Sequence, residues 1–241
     1  MRRRFFCGAF VGVLVIAAAL SATAGGGTPS RWHGPLHMRT NSTSTNWSGY
    51  AVTGGRYTRV SSSWTVPAVS CSGTAYSSFW VGLDGDTSGT VEQTGTDSDC
   101  SGSTPQYYAW YEMYPKFPSN FRDTVQAGDH MSATVSTTGN GQFTLTISDT
   151  TRGWTETTNA RLKSAKLASA EVIAEAPSSS GGVLPLANFG TVSFSGASAN
   201  GALLTSSTPG IDAITMASGS TVKAQPSSIS NGSFSVAWKH A

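Results

Sequence analysis

The reactive side chains that this sequence sets inside strand-like segments are carboxylates and amides. In VEQTGTD (residues 91–97) Gln93 shares a strand face with Val91, Gly95 and Asp97. In SAEVIAEAP (169–177) Glu171 shares a face with Ile173 and Glu175, while Ala170, Val172 and Ala174 take the other face. In QYYAWYEMYP (106–115) Glu112 lies with Tyr108, Trp110 and Tyr114, and in AYSSFWVGLDG (75–85) Trp80 lies with Gly82 and Asp84. Burying an amide or a carboxylate is unfavourable unless it is hydrogen-bonded. Such groups beside aromatics therefore form a satisfied structural network, lie on a solvated edge, or line a binding cleft. Two chemistries are open to them. A carboxylate pair, Glu112 with Glu171, suits hydrolysis of a glycosidic bond. One carboxylate with one amide suits a carboxylate-activated water, with an amide N–H stabilising the oxyanion.

Other hydrolytic machinery is missing. Of the four histidines, His33 and His37 precede the strand-rich region, His240 is penultimate, and only His130 opens a strand. There is no G-x-S-x-G and no H-E-x-x-H, which argues against a serine triad and a zinc hydrolase. DGD (84–86) and DSD (97–99) lack the remaining positions of a calcium loop and read as turns. No metal and no cofactor is expected.

The elements that must position these residues begin after a leader. Arg2, Arg3 and Arg4 precede an apolar run from Phe5 to about Leu20, and ATA (22–24) has a small-x-small cleavage pattern. Residues 1–24 are read as a signal peptide and 25–45, rich in Gly and Pro, as a linker or short propeptide. Residues 46–241 are read as the folded domain. The expected location is extracellular, with no stable membrane association once the leader is removed. Export removes Cys7 and leaves Cys71 and Cys100, which an oxidising compartment joins into one disulfide.

The net charge of +2 reflects the leader; without its three arginines, twelve basic residues face thirteen acidic ones. No basic patch remains, so nucleic acid is not an expected partner. Charged residues are 12% of the chain, about half the usual share. The surface must then be built from Ser, Thr, Gly and Asn. That composition suits an acid-tolerant secreted enzyme, because few carboxylates need be protonated in the native state. It equally suits a lectin-like or wall-binding protein.

From Asn46 onward, β-branched and aromatic segments alternate with Gly, Pro and Asn clusters. HMSATVST (130–137) and QFTLTISDT (142–150), joined by TGNG, read as a hairpin, and RLKSAKLASA (161–170) offers one possible helical turn. Strands at this spacing predict one all-β domain: an antiparallel β-sandwich of jelly-roll or concanavalin-like type, with two large sheets.

Seven segments in order resemble the glutamic peptidases, or eqolisins. They are NWSGYAV (46–52), SSWTVP (62–67), WVGLDGD (80–86), VEQTGTD (91–97), AWYEMYP (109–115), AEVIAE (170–175) and ANFGTVSF (187–194). The resemblance implies a secreted, acid-active endopeptidase on a two-sheet sandwich, a monomer acting on polypeptides. It places the family's catalytic glutamine on Gln93 and its glutamate on Glu171. It places Trp80, Asp84, Asp97, Trp110 and Glu112 at positions that line or support the cleft. Two features depart from the fungal members: Val172 follows the glutamate where the family usually has tryptophan, and the Cys71–Cys100 pair is more similar to the shorter bacterial members.

Overall fold

The computed structural model describes residues 31–33 and 42–241. The leader and most of the 25–45 segment lie outside the described residues. In chain order the strands are β1 (Thr43–Ser44), β2 (Trp47–Thr53), β3 (Arg59–Thr65), β4 (Ser78–Leu83), β5 (Val91–Ser101), β6 (Thr104–Tyr114), β7 (Ser119–Asn120), β8 (His130–Gly139) and β9 (Gln142–Asp149). They continue with β10 (Trp154–Arg161), β11 (Ser169–Glu175), β12 (Ser178–Ser179), β13 (Gly182–Val183), β14 (Thr191–Ala199), β15 (Ala202–Leu203), β16 (Ile211–Ser218), β17 (Thr221–Pro226) and β18 (Phe234–Trp238). Among the described residues there is no helix; 161–170 leaves β10, turns at Lys163–Ser164 and enters β11.

The strands follow one hydrogen-bonded path, β10-β9-β8-β3-β14-β18-β17-β16-β2-β11-β4-β5-β6-β7, which doubles back at β16. Ile211–Ile214 of β16 pair with β2, whereas Met216–Ser218 pair with β17 across a register shift. A strand that changes partner at a bulge makes the corner of a sandwich. The two halves then face each other, β4 and β5 against β8 and β9, and β11 against β3 and β14. All neighbours along the path are antiparallel; β1 adds a short parallel pair beside β16.

Alternation along each strand decides what goes between the halves. Phe79, Val81 and Leu83 of β4, Ala170, Val172 and Ala174 of β11, and Phe143, Leu145 and Ile147 of β9 fill the main core. The Trp64 indole N–H crosses the layers to Thr96 Oγ1 at 2.9 Å. Trp47, Ala51, Trp80, Val91, Trp110, Ile173 and Ile214 form a second cluster on the opposite face of the β2-β11-β4-β5-β6 half. That face carries the polar groups singled out in the sequence.

The predicted hairpin closes through Asn140 and Gly141, both at positive φ (57° and 72°), the geometry that Asn-Gly favours. Along β9 and β10 hydroxyls and amides replace charges: Thr144 bonds Asn159, Thr146 bonds Thr157 and Ser148 bonds Thr155. Cys71 and Cys100 are joined, with Cα atoms 5.4 Å apart, fastening the loop before β4 to the end of β5. Closing a loop of this length restricts the unfolded chain by about 3–4 kcal/mol. The Cys71→Ala, Cys100→Ala double variant is therefore expected to lose about that much in urea unfolding. A loss below about 1 kcal/mol would show that the link adds little.

Candidate active site

Pairing register lines the polar residues up across the sheet. On one level Ala51 (β2) lies opposite Glu171 (β11), Glu171 opposite Gly82 (β4), Gly82 opposite Gln93 (β5), and Gln93 opposite Glu112 (β6). The next level on the same face holds Ile173, Trp80, Gly95 and Trp110, and the one beyond holds Glu175, Ser78, Asp97 and Tyr108. Glu171 and Gln93 thus flank one intervening strand, with backbones about 10 Å apart. The residue between them is a glycine. A Cβ on Gly82 would stand 2.9 Å from the Trp80 ring, 3.1 Å from Val91 Cγ1 and 3.2 Å from Gln93 Cβ. Glycine keeps that space open between the carboxylate and the amide.

Gln93 is fully buried. Its Nε2 donates to Glu112 Oε2 at 2.9 Å and to the backbone carbonyl of His33. Both neighbours are acceptors, so the amide must present its NH2 side here. Glu112 Oε2 also accepts the His33 backbone N–H at 3.0 Å. Burial pushes the Glu112 carboxyl up to about 7, against the lowering pull of His33 and Gln93.

Arg31-Trp32-His33, from the segment expected to be a linker or short propeptide, lies in the cleft. Trp32 pairs with Ser178 as a short antiparallel bridge, N to O at 2.9 Å and O to N at 3.0 Å. The Trp32 ring stacks on Phe117 at 4.8 Å. The His33 ring stacks on Trp110 at 3.9 Å, with Nε2 3.2 Å from Asp97 Oδ2 and Nδ1 3.5 Å from Glu112 Oε2. Burial alone would lower the imidazole, but Asp97 and Glu112 outweigh it and hold His33 at about 10. Asp97, which burial would raise, is instead lowered by His33 and Arg31. Arg31 bonds Asp99 at 2.7 Å and the Tyr108 hydroxyl, and its guanidinium lies 4.3 Å from the Tyr76 ring centre.

Around this seat the acids are held by donors. The Trp110 indole N–H donates to Asp97 Oδ1 at 2.6 Å; the Tyr108 hydroxyl stands 2.8 Å from Asp97 and 2.7 Å from Asp99. One hydroxyl hydrogen serves only one of those carboxylates. Burial and Asp97 push Asp99 up to about 7, so in acid Asp99 carries a proton of its own. Glu175 accepts from the Trp80 indole at 2.7 Å and the Asn46 amide at 3.0 Å.

The comparisons with known proteins bear on the family and the fold. The model of the peptidase A4 family matches residues 45–238. The chain belongs to the peptidase A4 family. It is 32% identical to aspergillopepsin-2 of Aspergillus niger over 181 residues, which is 65% of this chain and 64% of that protein. The solved structure of scytalido-glutamic peptidase with a transition state analog inhibitor superposes with a TM-score of 0.72 at 26% identity, covering 81% of this chain and 98% of that one. The aspergilloglutamic peptidase of Aspergillus niger gives 0.62 at 28% identity, covering 68% and 99%.

The residues drawn from the family pattern fall into two groups. Gln93, Glu112, Asp97, Trp80 and Trp110 converge on the face that holds Glu171. Asp84 does not face this seat. Its carboxylate accepts the backbone N–H groups of Lys166, Leu167 and Ala168, each at 2.8 Å, and so shapes the loop that delivers β11. Val172 points into the main core, away from Glu171, so the departure from tryptophan there changes packing between the sheets. Sequence reasoning did not single out Trp32 or Asp99 as parts of the site. Asp99 was legible, since it shares a face with Asp97.

Behind the site Glu92 pairs with Leu83 and Met113 on the core side. Burial, then the charge of Asp84, push it up to about 9. A carboxyl raised in the fold loses stabilisation as pH rises from its unfolded value to its folded one. Glu92 therefore destabilises the protein between about pH 4.5 and 9, and Asp99 and Glu112 act in the same direction up to about 7. Glu92→Gln is expected to raise the Tm at pH 8 by several degrees and to change it little at pH 4. An equal change at both pH values would contradict the assignment.

Proposed function

We propose that this chain is a secreted, acid-active endopeptidase, a monomer that cleaves polypeptides with Glu171 as base and Gln93 as oxyanion donor. One observation carries the reading: the Gln93 amide donates to a peptide carbonyl while Glu171 stands across the Gly82 gap on the same level. Secretion rests on the leader pattern of residues 1–24.

In this mechanism a water lies between Glu171 and Gln93. Ionised Glu171 takes a proton from it as its oxygen attacks the carbonyl carbon. Charge develops on the carbonyl oxygen, where the Gln93 N–H already points; one such donor contributes about 3–4 kcal/mol to the barrier. Glu171 then returns the proton to the leaving nitrogen, and the C–N bond breaks. Glu112 fixes the amide so that its second N–H faces the reacting oxygen. An amide does not titrate, so this donor persists in acid, where Glu112 is itself neutral.

The test is digestion of an unfolded protein between pH 2 and 7, counted as new amino termini, for wild type and Glu112→Gln. The rate is expected to peak in acid, and the variant to stay within about tenfold because glutamine can still accept the Gln93 bond. Loss of all turnover in Glu112→Gln, with glycan cleavage by wild type, would instead favour paired-carboxylate glycoside hydrolysis.

A further inference from the structure

The acids and bases of this domain are sorted by depth. Nine of the thirteen acidic residues are buried, leaving four; of the ten Lys and Arg in residues 46–241 only Lys223 is buried, leaving nine. The near-neutral balance of the sequence therefore hides a surface that is net positive, and more so in acid, where the outer carboxylates take up protons.

Three of those cations meet in one cleft. Arg56 comes from the β2–β3 connection, Arg161 from the end of β10 and Lys163 from the turn after it, with Asn140 and Gly141 of the β8–β9 hairpin between them. The hairpin tip is fixed there: Gly141 O accepts the Leu162 N–H at 2.8 Å, and a Cβ on Gly141 would stand 2.7 Å from Leu162 O. Arg56 Nη2 reaches to 3.7 Å from where a Cβ on Gly139 would stand. No acidic residue lines this cleft, and among the described residues none of the three cations has a carboxylate partner. Like charges gathered without a counter-charge repel, so a bound anion would relieve them. Two guanidinium forks and an ammonium suit a tetrahedral oxyanion. Phe143 borders both this cleft and a second groove, lined by Thr137, Thr138, Gln142, Thr144 and Asn159. Those hydroxyls and amides carry no charge and offer both donors and acceptors.

We propose that this cleft binds the sulfate or phosphate esters of a hydroxyl-rich polysaccharide, with the ester on Arg56, Arg161 and Lys163 and the sugar hydroxyls along the neutral groove. Such esters keep a negative charge in acid, whereas a polymer of sugar carboxylates becomes neutral below the ordinary carboxyl value of about 4. Nucleic acid fits less well. The one aromatic ring lining either groove is Phe143, which is buried and offers no face on which a base could stack. None of these residues belongs to the level of Glu171 and Gln93, so the glycan contact and the proposed catalysis can be removed separately.

The experiment measures binding of the full chain at pH 4 to dextran sulfate, dextran phosphate and plain dextran. Two triple variants of equal net charge stand beside wild type: Arg56→Gln, Arg161→Gln, Lys163→Gln in the cleft, and Lys116→Gln, Arg122→Gln, Lys239→Gln outside it. Wild type is expected to bind at least one of the two esterified polymers and not plain dextran; which ester it holds identifies the source of the anion. The cleft triple should bind about tenfold or more weakly, and the outside triple within about threefold of wild type. All six side chains are exposed, so the urea unfolding midpoints should match. Arg161→Gln alone, expected to weaken binding by about threefold, repeats the test with the smallest change. Equal weakening in both triples would show attraction to the whole surface and overturn the site. So would equal binding of plain dextran, or no binding of either ester. Tighter binding of a DNA duplex than of both esters would overturn the glycan assignment.

Discussion

Glu171→Gln is expected to lower kcat for peptide hydrolysis by about 1,000-fold or more, with little change in the unfolding midpoint. Glutamine has the shape of glutamate, and the neighbours of Glu171 on its level are Ala51 and Gly82, so the variant creates no cavity and no clash. What it removes is the proton acceptor, and with it the group that returns the proton to the leaving nitrogen. Both roles act in the transition state, so kcat and kcat/KM should fall together while KM holds. Steady-state kinetics on an internally quenched peptide at the acid optimum, beside a urea unfolding curve, checks this. A folded variant that retains a tenth of wild-type kcat would remove Glu171 from the mechanism.

Asp84→Ala is expected to destabilise the protein by about 5 kcal/mol, comparable with the whole stability of many domains. Three backbone N–H groups lose their acceptor, each at about 1–3 kcal/mol when buried. Alanine at φ +66° adds left-handed strain of about 1–2 kcal/mol. The loop concerned enters β11 at Ser169, two residues before Glu171, so the carboxylate that folds this corner also fixes the height of Glu171 on its level. Asp84→Asn keeps one acceptor oxygen and tolerates the backbone angle, and should lose roughly half as much. Urea unfolding at pH 4 measures both. A loss below about 1 kcal/mol for the alanine variant would show that the loop is held by other contacts.

The fold was legible because alternation survives translation into structure. Val91, Gln93, Gly95 and Asp97 share the cleft side, and Ala170, Val172 and Ala174 the core side, as period two requires. Register was not legible. Nothing in the sequence places Glu171 opposite Gly82 or Gly82 opposite Gln93, because pairing between segments far apart in the chain is set by the whole sheet. The role of Asp84 was hidden for a related reason: the strand period puts it with Trp80, but its positive φ turns the chain toward the 166–168 loop. The conformation of residues 31–33 was not legible because they have no period; their order comes from the cleft that receives them. RLKSAKLASA read as a helical turn because short Lys-Ala-Leu runs have that propensity, which the Asp84 carboxylate overrides by drawing three of its N–H groups to one side.

The most direct test of the account is the pH dependence of kcat/KM for Gln93→Ala measured beside wild type. The amide donates to the reacting oxygen and does not titrate. The curve should therefore fall by about 100- to 1,000-fold at every pH, with both inflections where wild type has them. An undiminished rate would show that no oxyanion donor was lost. A curve lowered on one limb only would mean that Gln93 acts by setting a neighbour's ionisation, and the glutamine–glutamate mechanism would not stand.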